Sequence, residues 1–421
     1  MAGQLNMATE KAPARSRELS EWFGNPKGDF FAGIVSAFAV IPEVVGFTIV
    51  AGVDPVLGLY TSVAFLLLLS FIGGRPAMVS AGAGSMAVLV ASLVASHGLD
   101  YMFAAVLIAG IIQLVLGLMG IGALLKRIPR SIIVGFVDGL AFIILLSQIT
   151  TFNNNLGDTD TAVAAMVCLI ALGLAVIFLF PKVSKVIPST LVAIAVVTVA
   201  SILLVCLAGD SFQTAVISDL GSISAGWPGF NLPSVLTDTS ALAVIMPYAV
   251  SLAFVGLLET SLTMQVVDNL TVSSSDSKRE CCAQGVGNMV CGGMGAMPGC
   301  AMIGQAVACV KSGGRGRLST LVAALVLALL LAFGSDVLGI IPLAALIAVM
   351  LFVCYSTFDW DNLREMVRGR DRNSLCATAM TIITLATVIV THNLAYGAVA
   401  GLLLALLFWL AFGKDRTFEI R

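Results

Sequence analysis

The sequence has little charge for its length. Asp, Glu, Lys and Arg make up 11% of the 421 residues, and hydrophobic residues make up 59%. A soluble domain carries about 25% charged residues. No lysine or arginine occurs between Arg130 and Lys182 or between Lys185 and Lys278, and apolar runs long enough to cross a bilayer fill most of both gaps. These absences exclude a soluble protein and indicate a polytopic helical membrane protein.

The sequence also lacks the patterns of several other protein classes. The segment 1–28 is polar, so no cleavable signal peptide is predicted. The nine cysteines show no paired CxxC spacing, so neither a metal site nor a cofactor is expected. The basic residues are dispersed over short loops, which argues against nucleic acid as a partner. No nucleophile and base are paired in the apolar runs, so an enzyme is not expected.

Apolar runs bounded by glycine, proline and charge predict fourteen membrane spans. They lie near residues 29–52, 57–74, 84–96, 101–123, 130–150, 163–180, 188–208, 240–266, 281–297, 301–312, 318–333, 337–356, 375–391 and 394–412. The third and tenth are too short to cross alone and must begin inside the membrane from non-helical backbone. If the N-terminus is cytoplasmic, all 22 lysines and arginines fall on the inner side. We therefore expect a cytoplasmic segment at 1–28, a transmembrane domain at 29–412 and a cytoplasmic tail at 413–421.

Polar features recur at a nearly constant spacing. The positions of Glu43 and Glu259 differ by 216, and those of Ala83 and Cys300, where the two short spans open, differ by 217. The Ile-Pro pairs that start spans five and twelve begin at Ile128 and Ile341, a difference of 213. Two halves of seven spans follow, and because seven is odd the second half is inverted. Inverted repeats with a pair of broken helices are typical of secondary transporters.

The two short spans predict an anion site. A helix that starts inside the membrane has unpaired N–H groups and about half a positive charge at its first turn. Two such starts that face each other would bind an anion between them. The candidate substrate-binding residues are Glu43, Ala83, Gly84, Ser85, Ala301, Met302, Ile303 and Gln305. Because backbone groups are the donors, a large side chain at Gly84 or Ala301 is expected to block anion binding with little effect on stability.

Acidic side chains inside the spans indicate a coupled mechanism. A carboxylate there costs about 2.5–3.5 kcal/mol on insertion scales. Glu43 and Glu259 beside an anion would repel it unless they are protonated or paired with a cation. The sequence therefore predicts coupling to H⁺ or Na⁺. Two structural alternatives stay open: Glu43 beside Pro42 could bond freed helix backbone, and Glu259 could make a hydrogen bond between helices. Asp138 is interpreted as structural.

Several motifs in both halves resemble those of the SulP anion transporters, the family of sulfate permeases, cyanobacterial bicarbonate transporters and animal prestin. The matching stretches are GDFFAG at 28–33, IPE at 41–43, AGVDPVLGLY at 51–60, GLLE at 256–259, DSKRE at 276–280, QG at 284–285, SGGR at 312–315 and IPLAA at 341–345. The resemblance extends from about residue 28 to residue 412.

The resemblance implies an all-α membrane fold of fourteen spans in a 7+7 inverted repeat, with half-helices at spans 3 and 10. A moving core would comprise spans 1–4 and 8–11, at about 29–123 and 240–333. A gate would comprise spans 5–7 and 12–14, at about 130–208 and 337–412. Glu259 stands where the bicarbonate transporters have an aspartate that helps to hold sodium, and Thr263 matches their threonine. Gln305 stands where many members have an arginine, which favours cation coupling.

The implied function is secondary active transport of a small inorganic anion of the sulfate or bicarbonate class by elevator-like alternating access. The expected location is the plasma membrane, with both termini cytoplasmic. Family members usually end in a cytoplasmic STAS domain, and none is expected here. A homodimer is left open. The alternatives are a nucleobase–proton symporter of the same 7+7 fold and an uncoupled anion channel or exchanger.

Overall fold

The computed structural model describes residues 14–125, 128–155, 159–183, 188–209, 212–220, 229–334, 338–368, 372–391 and 393–412. Within them, fourteen helices coincide with the fourteen predicted spans, with shifts of a few residues at their ends. These helices are α1 Pro26–Ala51, α2 Pro55–Ile72, α3 Gly84–His97, α4 Leu99–Leu118, α5 Arg130–Asn154, α6 Asp160–Leu179, α7 Ser189–Ala208, α8 Thr239–Thr271, α9 Ser277–Gly293, α10 Ile303–Lys311, α11 Arg317–Phe333, α12 Leu343–Thr357, α13 Arg372–Thr391 and α14 Leu394–Phe412. Residues 1–13 and the predicted tail at 413–421 lie outside the described residues.

The helix starts follow from local sequence. Asp54 accepts a hydrogen bond from the backbone N–H of Val56 at 3.0 Å, and Pro55 stands at the first helical position of α2. An aspartate just before a helix and a proline at its first position both favour helix initiation. The two Ile-Pro pairs also mark starts as predicted, because Pro129 and Pro342 are the residues that precede α5 and α12.

Two short strands interrupt the helices inside the protein. β1, Ser80–Gly82, precedes α3, and β2, Gly299–Ala301, precedes α10. They pair antiparallel, with Gly82 opposite Gly299. Non-helical backbone before both short spans was predicted, and the start of span 10, predicted near residue 301, lies two residues later. Residues 299–301 form β2, and the half-helices begin at Gly84 and Ile303, so their starts are offset by 219 rather than by 217.

Side chains satisfy the outer edges of this two-stranded ladder. Backbone groups with no partner are costly in a membrane, and an open sheet edge is tolerated there only inside protein. The N–H of Gly82 donates to Ser62 Oγ of α2 at 3.4 Å. Asn288 of α9 donates to the carbonyl of Gly299 and accepts from its N–H, both at 3.0 Å. The strands are therefore held by the surrounding helices.

The membrane helices pack in two groups. In the first group, α4 packs along α9 and α8, and α11 packs along α1 and α2. In the second, α13 packs along α5 and α14, and α12 lies between α5 and α6. Contacts between the groups are less extensive and include α1 with α12 and α8 with α14. The two strands and both half-helices belong to the first group.

A buried polar cluster closes one end of the first group. Arg75 forms an ion pair with Asp268 at 3.0 Å. Arg317 pairs with Glu21 at 2.9 Å and donates to the carbonyls of Ser70 at 3.1 Å and Gly73 at 2.9 Å. The cluster joins the ends of α2 and α8 to the start of α11. It lies at the end of the protein where α1 begins.

Candidate functional site

Both half-helices begin without a side-chain cap. The residues that precede them, Ala83 and Met302, make no side-chain cap hydrogen bond. The first N–H groups of each helix also have no partner within the helix. Because β1 and β2 are antiparallel, α3 and α10 leave opposite ends of the ladder. The last strand residues, Gly82 and Ala301, are two steps apart along it, or about 7 Å at the usual rise per residue.

Each intramembrane glutamate contacts the half-helix of the other repeat. Glu259 of α8 accepts hydrogen bonds at Oε2 from Ser85 Oγ, in the first turn of α3, and from Cys300 Sγ at 3.1 Å. Glu43 of α1 faces the side chain of Gln305, in the first turn of α10. Gln305 is 1% exposed, and its Nε2 has no hydrogen-bond partner of normal geometry among the described residues. A buried amide that faces Glu43 therefore lies in the first turn of α10.

Thr263 connects α8 to the second strand. Its Oγ1 lies 2.9 Å from the carbonyl oxygen of Glu259 and 3.3 Å from that of Ala301. The N–H of Ala301 donates to Thr260 Oγ1 at 3.5 Å. Both backbone groups of Ala301 therefore form hydrogen bonds with α8. The free N–H groups of the second half-helix belong to the residues that follow Met302.

The structure corrects the expectation about bulky substitutions. A Cβ atom at Gly84 would lie 2.6 Å from the ring of Phe47, and Ala301 is fully buried. Leucine at either position would therefore disturb packing as well as block an anion. Gly304, which was not predicted, is exposed, and a Cβ there would meet no atom within 4 Å. With the corrected offset between the half-helix starts, Gly304 is the counterpart of Ser85.

A cavity of about 530 Å³ lies between the two helix groups, at the end opposite the polar cluster. Its lining includes Val50, Leu89 and Ser251 from the first group and Ile143 and Tyr396 from the second. Among the residues that the structure describes, no Asp, Glu, Lys or Arg lines it. The predicted site residues Glu43, Ser85, Glu259 and Gln305 do not line it either. Its lining reaches Val88, about one helical turn beyond the start of α3.

Asp138 lies in the second helix group, away from the half-helices. Its Oδ1 accepts a hydrogen bond from the N–H of Asp359 at 2.9 Å. Asp359 in turn accepts from the N–H of Asn362 at 2.9 Å, at the start of the short helix Trp360–Arg368. The contact holds the turn after α12, in keeping with the structural interpretation of Asp138.

A pair of inverted half-helices within fourteen membrane helices defines a secondary transporter fold. The chain belongs to the sulfate permease family, whose model matches residues 27–381. It is 44% identical to the putative sulfate transporter YbaR of Bacillus subtilis over 393 residues, which are 93% of this chain and 78% of that protein. It is 29% identical to the bicarbonate transporter BicA of Picosynechococcus sp., over 89% of this chain and 69% of BicA.

Solved structures agree with this assignment. The transmembrane domain of a cyanobacterial bicarbonate transporter BicA superposes with a TM-score of 0.76 at 27% identity, over 87% of this chain and 97% of that domain. Murine Slc26a9, an anion transporter in the inward-facing state, gives a TM-score of 0.78 at 17% identity, over 96% of this chain and 71% of that protein, and shows the fold alone. The 7+7 fold is confirmed. The chain is a membrane transporter and not an enzyme.

Proposed function

We propose that this protein is a secondary active transporter of a small inorganic anion of the sulfate or bicarbonate class. The observation that carries the proposal is the pair of uncapped half-helix starts at opposite ends of the β1–β2 ladder, with the buried side-chain amide of Gln305 beside the second. Backbone N–H groups at helix starts bind compact anions. The names of YbaR and BicA, a putative sulfate and a bicarbonate transporter, give the substrate class.

Coupling to H⁺ or Na⁺ follows from the two acids. No lysine or arginine contacts Glu43 or Glu259 among the described residues, so no basic side chain in that part of the chain balances either charge. A proton or a sodium ion on Glu259 would remove that charge when the anion binds. Ser85 Oγ contacts the carboxylate of Glu259, and Thr263 Oγ1 lies 2.9 Å from the backbone carbonyl oxygen of the same residue, so oxygen atoms that suit either ion surround Glu259. This arrangement favours a symporter over an uncoupled channel.

Transport would use a movement of the first helix group, the core, against the second, the gate. Both half-helices belong to the core, so the site would move as a unit. The cavity lies on the boundary between the groups, where such a movement would open and close a path. We further propose that the protein lies in the plasma membrane with both termini cytoplasmic, which would put the cavity on the outer side. A homodimer stays a prediction.

Cysteine labelling tests the orientation. Thr239→Cys, at the start of α8, should react with an impermeant maleimide in intact cells, and Ser312→Cys, after α10, should react only after permeabilisation. The exposed cysteines Cys168 and Cys206 are replaced by serine beforehand. If Ser312→Cys alone were labelled in intact cells, the orientation would be the opposite of the one proposed.

Uptake into proteoliposomes tests the function. Labelled sulfate and bicarbonate are offered with an inward proton gradient, an inward sodium gradient or neither, at a fixed membrane potential. We expect accumulation of at least one anion with one of the two gradients. Equal fluxes under all three conditions would indicate an uncoupled channel or exchanger, and uptake of uracil in place of both anions would indicate a nucleobase symporter.

Glu259→Gln tests the coupling residue. The amide oxygen can still accept from Ser85 and Cys300, so the variant should fold. It should keep anion exchange but lose gradient-driven accumulation, because a neutral glutamine side chain can neither bind and release a proton nor hold a sodium ion by charge. Glu18→Gln, the same change at an exposed residue, serves as the control. Accumulation by folded Glu259→Gln at the wild-type level would make Glu259 a structural residue.

A further inference from the structure

A side chain outside the predicted site holds β2, the strand that leads into α10. Asn288 of α9 is 1% exposed, and both N–H groups and the oxygen of its side-chain amide make hydrogen bonds. Its Oδ1 accepts from the N–H of Gly299, and its Nδ2 donates to the carbonyl of Gly299 at 3.0 Å and to Gln113 Oε1 at 2.8 Å. The side chain thus binds the free edge of β2 as a neighbouring strand would. The first residue of α10 follows Gly299 by four positions.

The orientation of the Asn288 amide is itself fixed. Gln113 of α4 is fully buried, and its Nε2 donates to the carbonyl of Ala253 in α8 at 3.4 Å. Gln113 Oε1 therefore faces Asn288, which directs Nδ2 towards Gln113 and Oδ1 towards the N–H of Gly299. A chain of two amides thus joins α8, α4 and α9 to β2. All four elements belong to the core.

Gly299 is also closely packed against β1 and α2. A Cβ atom there would lie 2.6 Å from the carbonyl oxygen of Ala81 in β1 and 2.8 Å from the ring of Phe65. The strand is therefore confined by β1 and α2 on these sides and by Asn288 at its free edge. Loss of the Asn288 contact would leave an N–H and a carbonyl without partners inside the membrane, which is costly.

We propose that Asn288 is a positioning residue for anion binding: its side chain clamps the β2 backbone at Gly299 and thereby sets where the N–H groups of α10 stand. This inference rests on the proposed function, because it assigns those groups to the anion. Anion affinity should depend on Asn288 although its side chain lies one strand away from the site. Displacement of a binding group by about 1 Å can cost up to about a hundredfold in rate.

Asn288→Asp is the informative variant. The aspartate has the same size and can still accept from the Gly299 N–H, but its second oxygen faces two other oxygens, the Gly299 carbonyl and Gln113 Oε1. Asn288→Ala removes the clamp without repulsion. Asn153→Asp, the same chemical change at an exposed position, is the matched control. Gln113→Met removes the amide that accepts from Asn288 Nδ2 but leaves Asn288 itself in place, so it should have a smaller effect on anion affinity.

Two measurements separate positioning from general stability. Hydrogen–deuterium exchange on purified protein should be faster in peptides that cover residues 299–306 of Asn288→Asp and Asn288→Ala, with peptides of the gate unchanged. Uptake of sulfate and of bicarbonate in proteoliposomes should show a KM raised about tenfold, with kcat changed by less than about twofold. A structural role alone would lower the yield or Tm and leave the KM of the folded fraction unchanged.

The outcomes distinguish this inference from the proposed function. Unchanged exchange at 299–306 would overturn the clamp, and so would an unchanged KM in both folded variants. If the wild type transports neither anion, the proposed function fails, whereas the exchange data still decide whether Asn288 positions α10. If neither Asn288 variant folds, slower exchange at 299–306 in the wild type than in Gln113→Met supports the clamp, and equal exchange overturns it.

Discussion

Among single residues, Gly304 offers the sharpest test of the anion site. It lies in the first turn of α10, it is exposed, and a Cβ atom there would meet no atom within 4 Å. Gly304→Leu should therefore fill the space beside the free N–H groups without a clash. We expect anion affinity to fall more than about tenfold, while stability changes by less than about 1 kcal/mol, since leucine favours a helix over glycine by about that amount.

Sulfate binding to purified protein and thermal unfolding measure the two effects of Gly304→Leu. Gly229→Leu, at an exposed loop glycine whose Cβ would be 3.6 Å from the nearest atom, is the matched control and should bind as the wild type does. Gly84→Leu should lose both binding and stability, because its side chain would collide with Phe47. Normal affinity in folded Gly304→Leu would place the anion elsewhere.

The sequence singles out some of the contacting residues and misses others for a physical reason. Glu43 and Glu259 are recognisable because charge inside an apolar span is rare and costly. Gly304, Phe47 and Asn288 carry no such signal. A glycine, an aromatic residue and a small amide in a membrane helix are each ordinary, and only the fold shows which of them face the half-helix starts.

Among the helices, the polar cluster offers a test of how the core is held together. The Arg317 side chain, 5% exposed, binds Glu21 and the carbonyls that end α2. Arg317→Met should lower the free energy of unfolding by about 2–4 kcal/mol, because it breaks a mostly buried pair and leaves those carbonyls without a donor. Thermal unfolding in detergent would measure the loss.

The control for Arg317 is an ion pair of the same chemistry at the surface. Arg364 and Asp361 pair at 3.0 Å with 71% and 86% of their side chains exposed. Solvent screens such a pair, so Arg364→Met should leave Tm within error of the wild type. An equal loss of stability in both variants would mean that the burial of Arg317 does not increase its contribution to the free energy of unfolding.

The spans were predictable because hydropathy and the distribution of charge act over about 20 residues at a time. The start of α10 was not, because a strand as short as β2 has no periodic pattern to recognise. Cys300, Ala301 and Met302 are as apolar as the helix that follows. The edge partners that let β2 exist in a membrane come from α8 and α9, and such long-range pairs cannot be seen in the local sequence.

Across the protein as a whole, the two helix groups meet along less extensive contacts, and the cavity lies between them. The half-helices, their strands and both glutamates belong to the core. A movement of the core would therefore carry the anion site past the gate without changing its internal geometry. The cavity between the groups would have to close during that movement, and residues on its two walls would approach or slide past one another.

A cross-link between the two walls tests this movement. Ser92 in α3 of the core and Thr150 in α5 of the gate both line the cavity. Ser92→Cys with Thr150→Cys, joined by a short flexible bis-methanethiosulfonate reagent in a background without Cys168 and Cys206, should stop anion uptake but preserve anion binding. The matched control joins Ser92→Cys to Tyr248→Cys, whose native side chains are 3.3 Å apart within the core. If the core moves as a unit, that second link should leave uptake largely intact. Undiminished uptake by the fully linked Ser92–Thr150 pair would exclude a movement between the groups, and transport would then have to occur through a fixed channel.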